Sequence, residues 1–167
     1  NVSCDLLCGI PGQSLQDLEF ALSELTRFPI HHLSCYLLTL APHHSMYSQL
    51  PDEDTQMEHL LFVDRWMTAR GFGHYEISNY AKLGFEAQHN LRYWKGGSYL
   101  GLGPSAHSYD AKGVRRWKNV SSIHKYSEIL GREELPIEWT ETLTAEQKNL
   151  KKWIIKMELG KDILETE

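Results

Sequence analysis

Residues 2–14, V-S-C-D-L-L-C-G-I-P-G-Q-S, decide the fold class because they contain one complete transition from strand to helix. The largely apolar residues 2–8 predict a short buried strand with a single charged residue, Asp5. The Pro and Gly residues that follow predict a turn. Ser14, with Asp17 three residues later, is typical of a helix N-cap close to a capping box. We therefore predict a strand, a tight turn and a helix in direct succession.

The same alternation continues to about residue 78. Leucines at helical spacing predict that the first helix ends near Phe28, and residues 32–40 predict a second strand that is covered on both faces. Acidic residues 52–54 open a second helix, and residues 73–78 form a third strand. The predicted apolar face of the second helix consists of Met57, Leu60, Leu61, Val63 and Met67. The order β-α-β-α-β predicts parallel strands joined by helical crossovers.

This pattern predicts an α/β fold that forms part of an open or incomplete barrel, because eight parallel strands with their helices need roughly 200 residues or more. After Ser78 the alternation stops, and residues 79–110 are expected to form loops and a short strand. The remaining sequence predicts a hairpin turn at 110–113, a helix at 121–130, a linker at 133–141 and a polar, lysine-rich helix at 144–158.

Length and composition describe a soluble globular protein of one domain. The 167 residues carry a net charge of -5, which argues against a nucleic-acid-binding surface. No apolar run approaches the roughly 18 residues of a membrane helix, and no basic and apolar segment ending in small residues indicates a secreted protein. Three cysteines, an odd number, favour a reducing and hence intracellular setting. The chain opens with Asn1, which leads directly into a strand, so we expect a fragment of a longer protein.

The cysteines are interpreted as structural. Cys4 and Cys8 have the spacing that opens a C-x3-C-x2-C cluster motif, but Pro11 occupies the third position. Residues four apart on a strand face the same side, and a free cysteine is commonly a small buried apolar residue.

Two acidic residues allow both a functional and a structural interpretation. Asp5 lies within an apolar strand, so its carboxylate must be paired, bound to a ligand or neutralised. The G-I-P-G-Q-S turn that follows could place backbone N–H groups against an anion or a ribose, or it could simply be a tight turn. Glu76 in the third strand is either a general acid or base or a structural partner of Arg92 or Arg115, and we favour the structural role.

Residues 75–108 contain unusually many aromatic, glycine and histidine residues, which is typical of a binding site carried on a rigid scaffold. Within them, H-N-L-R-Y-W at 89–94 is the sharpest local feature, because histidine ligates heme iron and aromatic walls suit the porphyrin face. His89 is nevertheless one of nine histidines, and a structural or surface role is the simpler interpretation of the residue alone. The pairs His31-His32 and His43-His44 do not have zinc-ligand spacing on one helix face.

Five strings occur in one order along the chain: D-L-L-C-G-I-P-G-Q-S, L-S-C-Y-L-L-T-L-A-P, H-Y-E-I-S-N-Y-A-K, H-N-L-R-Y-W and Y-L-G-L-G-P-S-A-H-S. Together they resemble the HemW branch of the oxygen-independent coproporphyrinogen oxidase family of radical S-adenosylmethionine (SAM) proteins. The resemblance covers about residues 1–150. It implies the C-terminal part of an incomplete (β/α)6 barrel, with a barrel portion at 1–132 and the start of a helical domain at 133–167.

The resemblance also implies two sets of site residues. Asp5, Thr39 and His107 match positions that line the SAM pocket in the family. His89 matches the candidate axial ligand of heme iron, with Asn90, Tyr93 and Trp94 as its neighbours. The branch resembles heme chaperones, which deliver heme to an acceptor protein, and the compartment implied is the cytoplasm, or the mitochondrion in a eukaryote.

This chain departs from the family in one important respect. The cluster-binding C-x3-C-x2-C of the first barrel strand has no counterpart here, so the [4Fe-4S] cluster and SAM belong to a longer parent protein, and this chain alone is expected to be catalytically inactive. Three hypotheses remain open: a heme chaperone, part of a coproporphyrinogen III dehydrogenase that oxidatively decarboxylates propionate side chains, and a truncated product whose unpaired first strand promotes association.

Overall fold

The structure is a computed structural model, and it describes residues 1–147. Two compact units are present, Asn1–Ala87 and a second that begins at Gln88. Each unit has its own sheet, with four strands in the first and three in the second.

The first unit alternates strands and helices as the sequence predicts. Its elements are β1 (Ser3–Cys8), α1 (Leu15–Thr26), β2 (His32–Leu37), a short 3-10 turn (Tyr47–Gln49), α2 (Glu53–Thr68), β3 (Gly73–Glu76) and β4 (Asn79–Ala81). Both helices begin where the sequence indicates. Ser14 and Asp17 form a complete capping box at α1, and the Asp52 side chain accepts a hydrogen bond from the Thr55 amide at α2. Each cap satisfies backbone N–H groups that a helix cannot satisfy itself.

The third strand differs from the prediction. The sheet order is β1-β2-β4-β3, in which β1 pairs with β2 in parallel while β4 is antiparallel to both of its neighbours. The predicted single strand at 73–78 is a hairpin that turns back at Ile77 and Ser78 and inserts β4 beside β2. Among residues 1–147 the sheet is therefore open, with a mixed arrangement and no barrel closure.

One face of this sheet is covered by α1 and α2. Leu6 and Cys8 from β1 meet Leu18 and Leu22 from α1 in a fully packed core. Further members of this core are Ile30, Leu33, Cys35, Val63, Met67, Phe72 and Tyr80. His59 on α2 is also buried, with only 2% of its surface exposed, although the predicted apolar face of this helix did not include it. By contrast, Met57 and Leu61 were predicted to face the core, and they are 56% and 47% exposed.

The cysteines lie where a structural role predicts. The Cys8 and Cys35 side chains are buried in the core, with their sulfur atoms 3.2 Å apart, and Cys4 is partly buried against the same core. The hydrogen bond to Cys8 and burial both raise the pKa of the Cys35 thiol. These two thiols therefore contact each other rather than an external group.

The second unit is built on a three-stranded antiparallel sheet of order β5-β6-β7. Its elements are α3 (Gln88–Trp94), β5 (His107–Asp110), β6 (Arg115–Asn119), α4 (Ile123–Gly131) and β7 (Ile137–Thr142). The predicted hairpin turn at 110–113 and the helix starting near residue 121 are confirmed. The predicted linker at 133–141 is wrong, because most of it forms β7. The lysine-rich helix predicted at 144–158 falls mainly on residues 148 and beyond, outside the described part of the chain.

Candidate functional site

His89 lies at the start of α3, a short helix that the sequence left as a loop. Its imidazole is exposed and borders an open cavity of about 550 Å³. The cavity is lined by Gln88, His89, Leu91, Arg92, Lys95 and Gly97. The other residues of the motif, Asn90, Tyr93 and Trp94, are half-buried. An exposed imidazole beside an open space has room to meet a ligand, which a core histidine does not.

A row of aromatic rings begins at His89 and continues within the second unit. The His89 Nε2 atom is 3.0 Å from the Tyr93 hydroxyl, one helical turn away, and the two rings meet edge to face. Tyr93 packs against Tyr99 with ring centroids 4.2 Å apart, and Tyr99 lies 6.2 Å from Tyr109. Burial raises the pKa of Tyr99, so its phenol stays neutral at physiological pH. The rings give His89 a flat apolar support on one side.

The glycine-rich loop after α3 is explained by its own backbone contacts. A Cβ atom on Gly101 would lie 2.9 Å from the backbone nitrogen of His107, closer than real side chains approach. Ser108 Oγ accepts from the Gly101 amide at 2.9 Å, and Asn119 Nδ2 donates to the carbonyls of Gly101 and Gly103 at 3.2 and 3.0 Å. Gly101 therefore allows the loop to lie directly on β5.

His107 lies at the start of β5, in the second unit. Its side chain is exposed, and its ring meets Trp139 edge to face at a centroid distance of 5.9 Å. Asp5 and Thr39, the other two residues predicted for the SAM pocket, belong to the first unit.

Asp5 is exposed, which the sequence did not predict for a carboxylate within an apolar strand. It points away from α1 and α2, because Cys4 and Leu6 on either side of it face the core. Thr39 follows the end of β2, is exposed, and donates weakly to the Leu37 carbonyl at 3.5 Å. Both side chains are therefore accessible to a ligand.

Strand register places Asp5 in a polar row that crosses the whole sheet. Asp5 is opposite Ser34, Ser34 is opposite Asn79, and Asn79 is opposite Glu76. Opposite residues project to the same face of a sheet, so the face opposite α1 and α2 carries two carboxylates, one near each edge. Glu76 is 5% exposed and accepts hydrogen bonds from the Asn79 side chain and the Ser78 amide. Its structural role is thus to hold the β3–β4 hairpin.

A second polar chain on this unit was not predicted. Ser3 Oγ is 2.8 Å from His32 Nδ1, and His32 Nε2 is 2.7 Å from the Tyr75 hydroxyl, which also accepts from the Ala87 amide at 3.2 Å. Burial lowers the pKa of His32, while the nearby charges of Asp5 and Glu76 partly oppose that shift. The sequence signal was a histidine in the second predicted strand and a tyrosine in the third.

No group of three or more His, Cys, Asp or Glu side chains among residues 1–147 is arranged to hold a metal ion. No helix in the described part of the chain has the length and apolar character needed to span a bilayer.

Known proteins similar to this chain include heme chaperones from three bacteria. No protein-family model matches the chain. Heme chaperone HemW of Mycobacterium tuberculosis is 34% identical over 166 residues, which are 95% of this chain and 42% of that protein. Heme chaperone HemW of Bacillus subtilis is 34% identical over 155 residues, 89% of this chain and 40% of the relative. The Escherichia coli protein of the same name is 40% identical over 106 residues, 62% of this chain.

A solved structure of similar fold is that of coproporphyrinogen III oxidase (HemN) from Escherichia coli, described as a radical SAM enzyme. The TM-score is 0.76 with 16% sequence identity, and the match covers 94% of this chain and 40% of that one. At this identity the likeness shows a shared fold alone. The chain spans about two fifths of the length of the first two relatives.

Proposed function

This chain belongs to the HemW-like family of heme chaperones and radical SAM proteins, and from that membership we propose that it is part of a protein that binds heme and passes it to an acceptor protein. The observation that carries the proposal is the position of His89. Its exposed imidazole lies beside an open cavity, on the helix formed by the H-N-L-R-Y-W motif.

His89 is the proposed axial ligand of the heme iron. Neutral imidazole is a common ligand of heme iron, and aromatic rings offer flat apolar surfaces to the porphyrin. Tyr93 meets the imidazole directly, and Asn90 and Trp94 lie on the same short helix. Without a ligand, the Tyr93 hydroxyl holds His89 Nε2 by a hydrogen bond, which must break before that nitrogen can coordinate iron.

The SAM pocket remains a second, separate proposal. Asp5 and Thr39 have exposed oxygen atoms on the first unit, and His107 has an exposed ring on the second. Carboxylate and hydroxyl groups suit the amine and ribose of SAM, which supplies a radical when it is cleaved beside a reduced cluster. The described residues do not fit the cluster itself, because Cys8 and Cys35 contact each other and no three-ligand group is present among them. The division of the chain into a barrel portion at 1–132 and a helical domain at 133–167 stays a prediction.

The heme proposal is tested by titrating ferric heme into the purified 167-residue chain and following the Soret band. We expect a saturable band for the unsubstituted chain. We also expect a shifted maximum and about tenfold weaker binding for His89→Ala, because the iron loses its proposed protein ligand. A tenfold change in affinity corresponds to about 1.4 kcal/mol. The matched control is His124→Ala, which removes another exposed helical histidine outside the cavity. Identical spectra and affinities for all three proteins would remove His89 from the site.

The alternative function is porphyrinogen decarboxylation by a longer parent protein, as the resemblance to coproporphyrinogen oxidases suggested. Its support is the shared fold with the HemN structure, which at 16% identity does not extend to chemistry. An assay of coproporphyrinogen III conversion by the complete protein, with cluster and SAM supplied, decides between the two. Turnover to the decarboxylated product would favour the enzyme over the chaperone.

A further inference from the structure

Two cationic side chains line the same cavity as His89. Arg92 and Lys95 are both exposed there, and neither forms an ion pair with any residue from 1 to 147. The Arg92 side chain donates a long hydrogen bond, 3.5 Å, to the Ser98 carbonyl. In a chain of net charge -5, two unpaired cations at one cavity favour an anionic ligand.

The spacing of these residues gives the cavity two distinct ends. His89, Arg92 and Lys95 follow one another at intervals of three residues, so each is a neighbour of the next along the helix and its continuation, and all three line the cavity. At about 1.5 Å of rise per residue, Lys95 is about 9 Å from His89 along the axis. The imidazole of His89 lies at one end of the cavity, and the cationic side chains of Arg92 and Lys95 lie towards the other end.

The carbonyl groups at the end of α3 do not oppose an anion there as strongly as free carbonyls would. The carbonyls of Leu91, Arg92 and Tyr93 each accept a backbone hydrogen bond, from Lys95, Gly97 and Gly96 respectively. Gly97 also leaves room for the Arg92 side chain, since a Cβ atom there would lie 2.8 Å from Arg92 Cγ. The backbone is satisfied, and the guanidinium has space to reach into the cavity.

We propose that Arg92 and Lys95 bind the two propionate carboxylates of the porphyrin whose iron His89 meets, so that the ligand class is a tetrapyrrole with free carboxylates. This inference rests on the proposed function. The chemistry matches, because a porphyrin of the heme type carries both carboxylates on one edge of a flat apolar ring. Arginine and lysine are the cations that bind carboxylates, arginine by a planar fork and lysine as a point charge.

The test compares heme with heme dimethyl ester, in which both carboxylates are masked and the iron is unchanged. For the unsubstituted chain we expect ester binding to be about tenfold weaker. Arg92→Gln and Lys95→Gln should each weaken heme binding about three- to fivefold, as exposed charge pairs do, and should leave ester binding unchanged. Lys125→Gln is the control, an exposed lysine on α4 outside the cavity. The ester comparison on the unsubstituted chain needs no substitution, so it stays decisive if a variant fails to fold.

The two proposals fail in different ways. Equal binding of heme and its ester to the unsubstituted chain, with His89→Ala still weakened, would overturn the carboxylate assignment alone. Absence of a Soret change with any heme would overturn the proposed function. Metal-free protoporphyrin has the same carboxylates without iron, and its binding should discriminate between acid and ester by the same ratio if Arg92 and Lys95 bind the propionates.

Discussion

His32 shows at the scale of one residue how a buried polar chain ties stability to pH. The ring is 5% exposed, between Ser3 and the Tyr75 hydroxyl. Burial lowers its pKa below the ordinary value of 6.5. The unfolded chain therefore binds a proton at His32 more readily than the folded chain does. The contribution of the neutral His32 ring to the free energy of unfolding is therefore complete above about pH 6.5. It is lost progressively as the pH falls below that value.

We expect His32→Gln to reduce the pH dependence of unfolding. The free energy of unfolding of the unsubstituted chain should fall between pH 7 and pH 5, measured by urea titration, and the fall should be smaller in the variant. The difference between the two slopes isolates this residue from the carboxylates. Parallel slopes would show that the protonation of His32 does not distinguish the folded from the unfolded chain.

At the scale of elements, the helices of the first unit follow from the sequence and the last strands do not. Ser14 and Asp17 specify the start of α1 through local hydrogen bonds, so the prediction and the structure agree. Residues 73–78 were predicted as one strand because the run Tyr75–Ser78 has no glycine or proline to indicate a turn. The hairpin is held instead by Glu76 and Asn79, a contact between side chains that periodicity does not show.

The helix α3 was missed for a related reason. It has seven residues and is followed by Gly96 and Gly97, so its helical period is too short to recognise. The resemblance still directed attention to His89, because a motif match does not depend on knowing the local conformation. Arg92 and Lys95 were not predicted as binding residues, since the cavity that both line is visible only in the structure.

The loop that precedes β5 gives a prediction at this scale. Gly101→Ala would force the new methyl group against the backbone of His107, and backbone cannot move aside as a side chain can. We expect destabilisation by about 3 kcal/mol or failure to fold, since overpacking costs about 1–3 kcal/mol and occasionally more. Gly131→Ala is the control, because nothing lies within 4 Å of its Cβ position. Thermal unfolding of both variants is the measurement, and an unchanged Tm for Gly101→Ala would contradict the packing described.

At the scale of the whole molecule, the sequence pattern identified the α/β class, and the strand order had to come from the structure. Alternating strands and helices fix which faces are apolar, but they do not say that β4 enters between β2 and β3. The residues predicted for the SAM pocket lie in both units, Asp5 and Thr39 in the first and His107 in the second.

An unpaired strand edge leads to a prediction for the whole chain. Among the described strands, β1 pairs only with β2, and Val2 and Leu7 are 44% and 40% exposed. Exposed apolar edges pair with other chains. We expect the 167-residue chain to self-associate at micromolar concentration in light scattering, and Val2→Lys to reduce the association because a charge on an edge opposes pairing. A monodisperse monomer would contradict this expectation.

The hydrogen bond between His89 Nε2 and Tyr93 bears on the heme-binding role that we propose for His89. Coordination through that nitrogen requires the bond to be broken, and unloading allows it to form again. A neutral hydrogen bond is worth about 1 kcal/mol, so the empty site regains roughly a fivefold advantage. Tyr93 would thereby act as an internal competitor that moderates retention and favours hand-over.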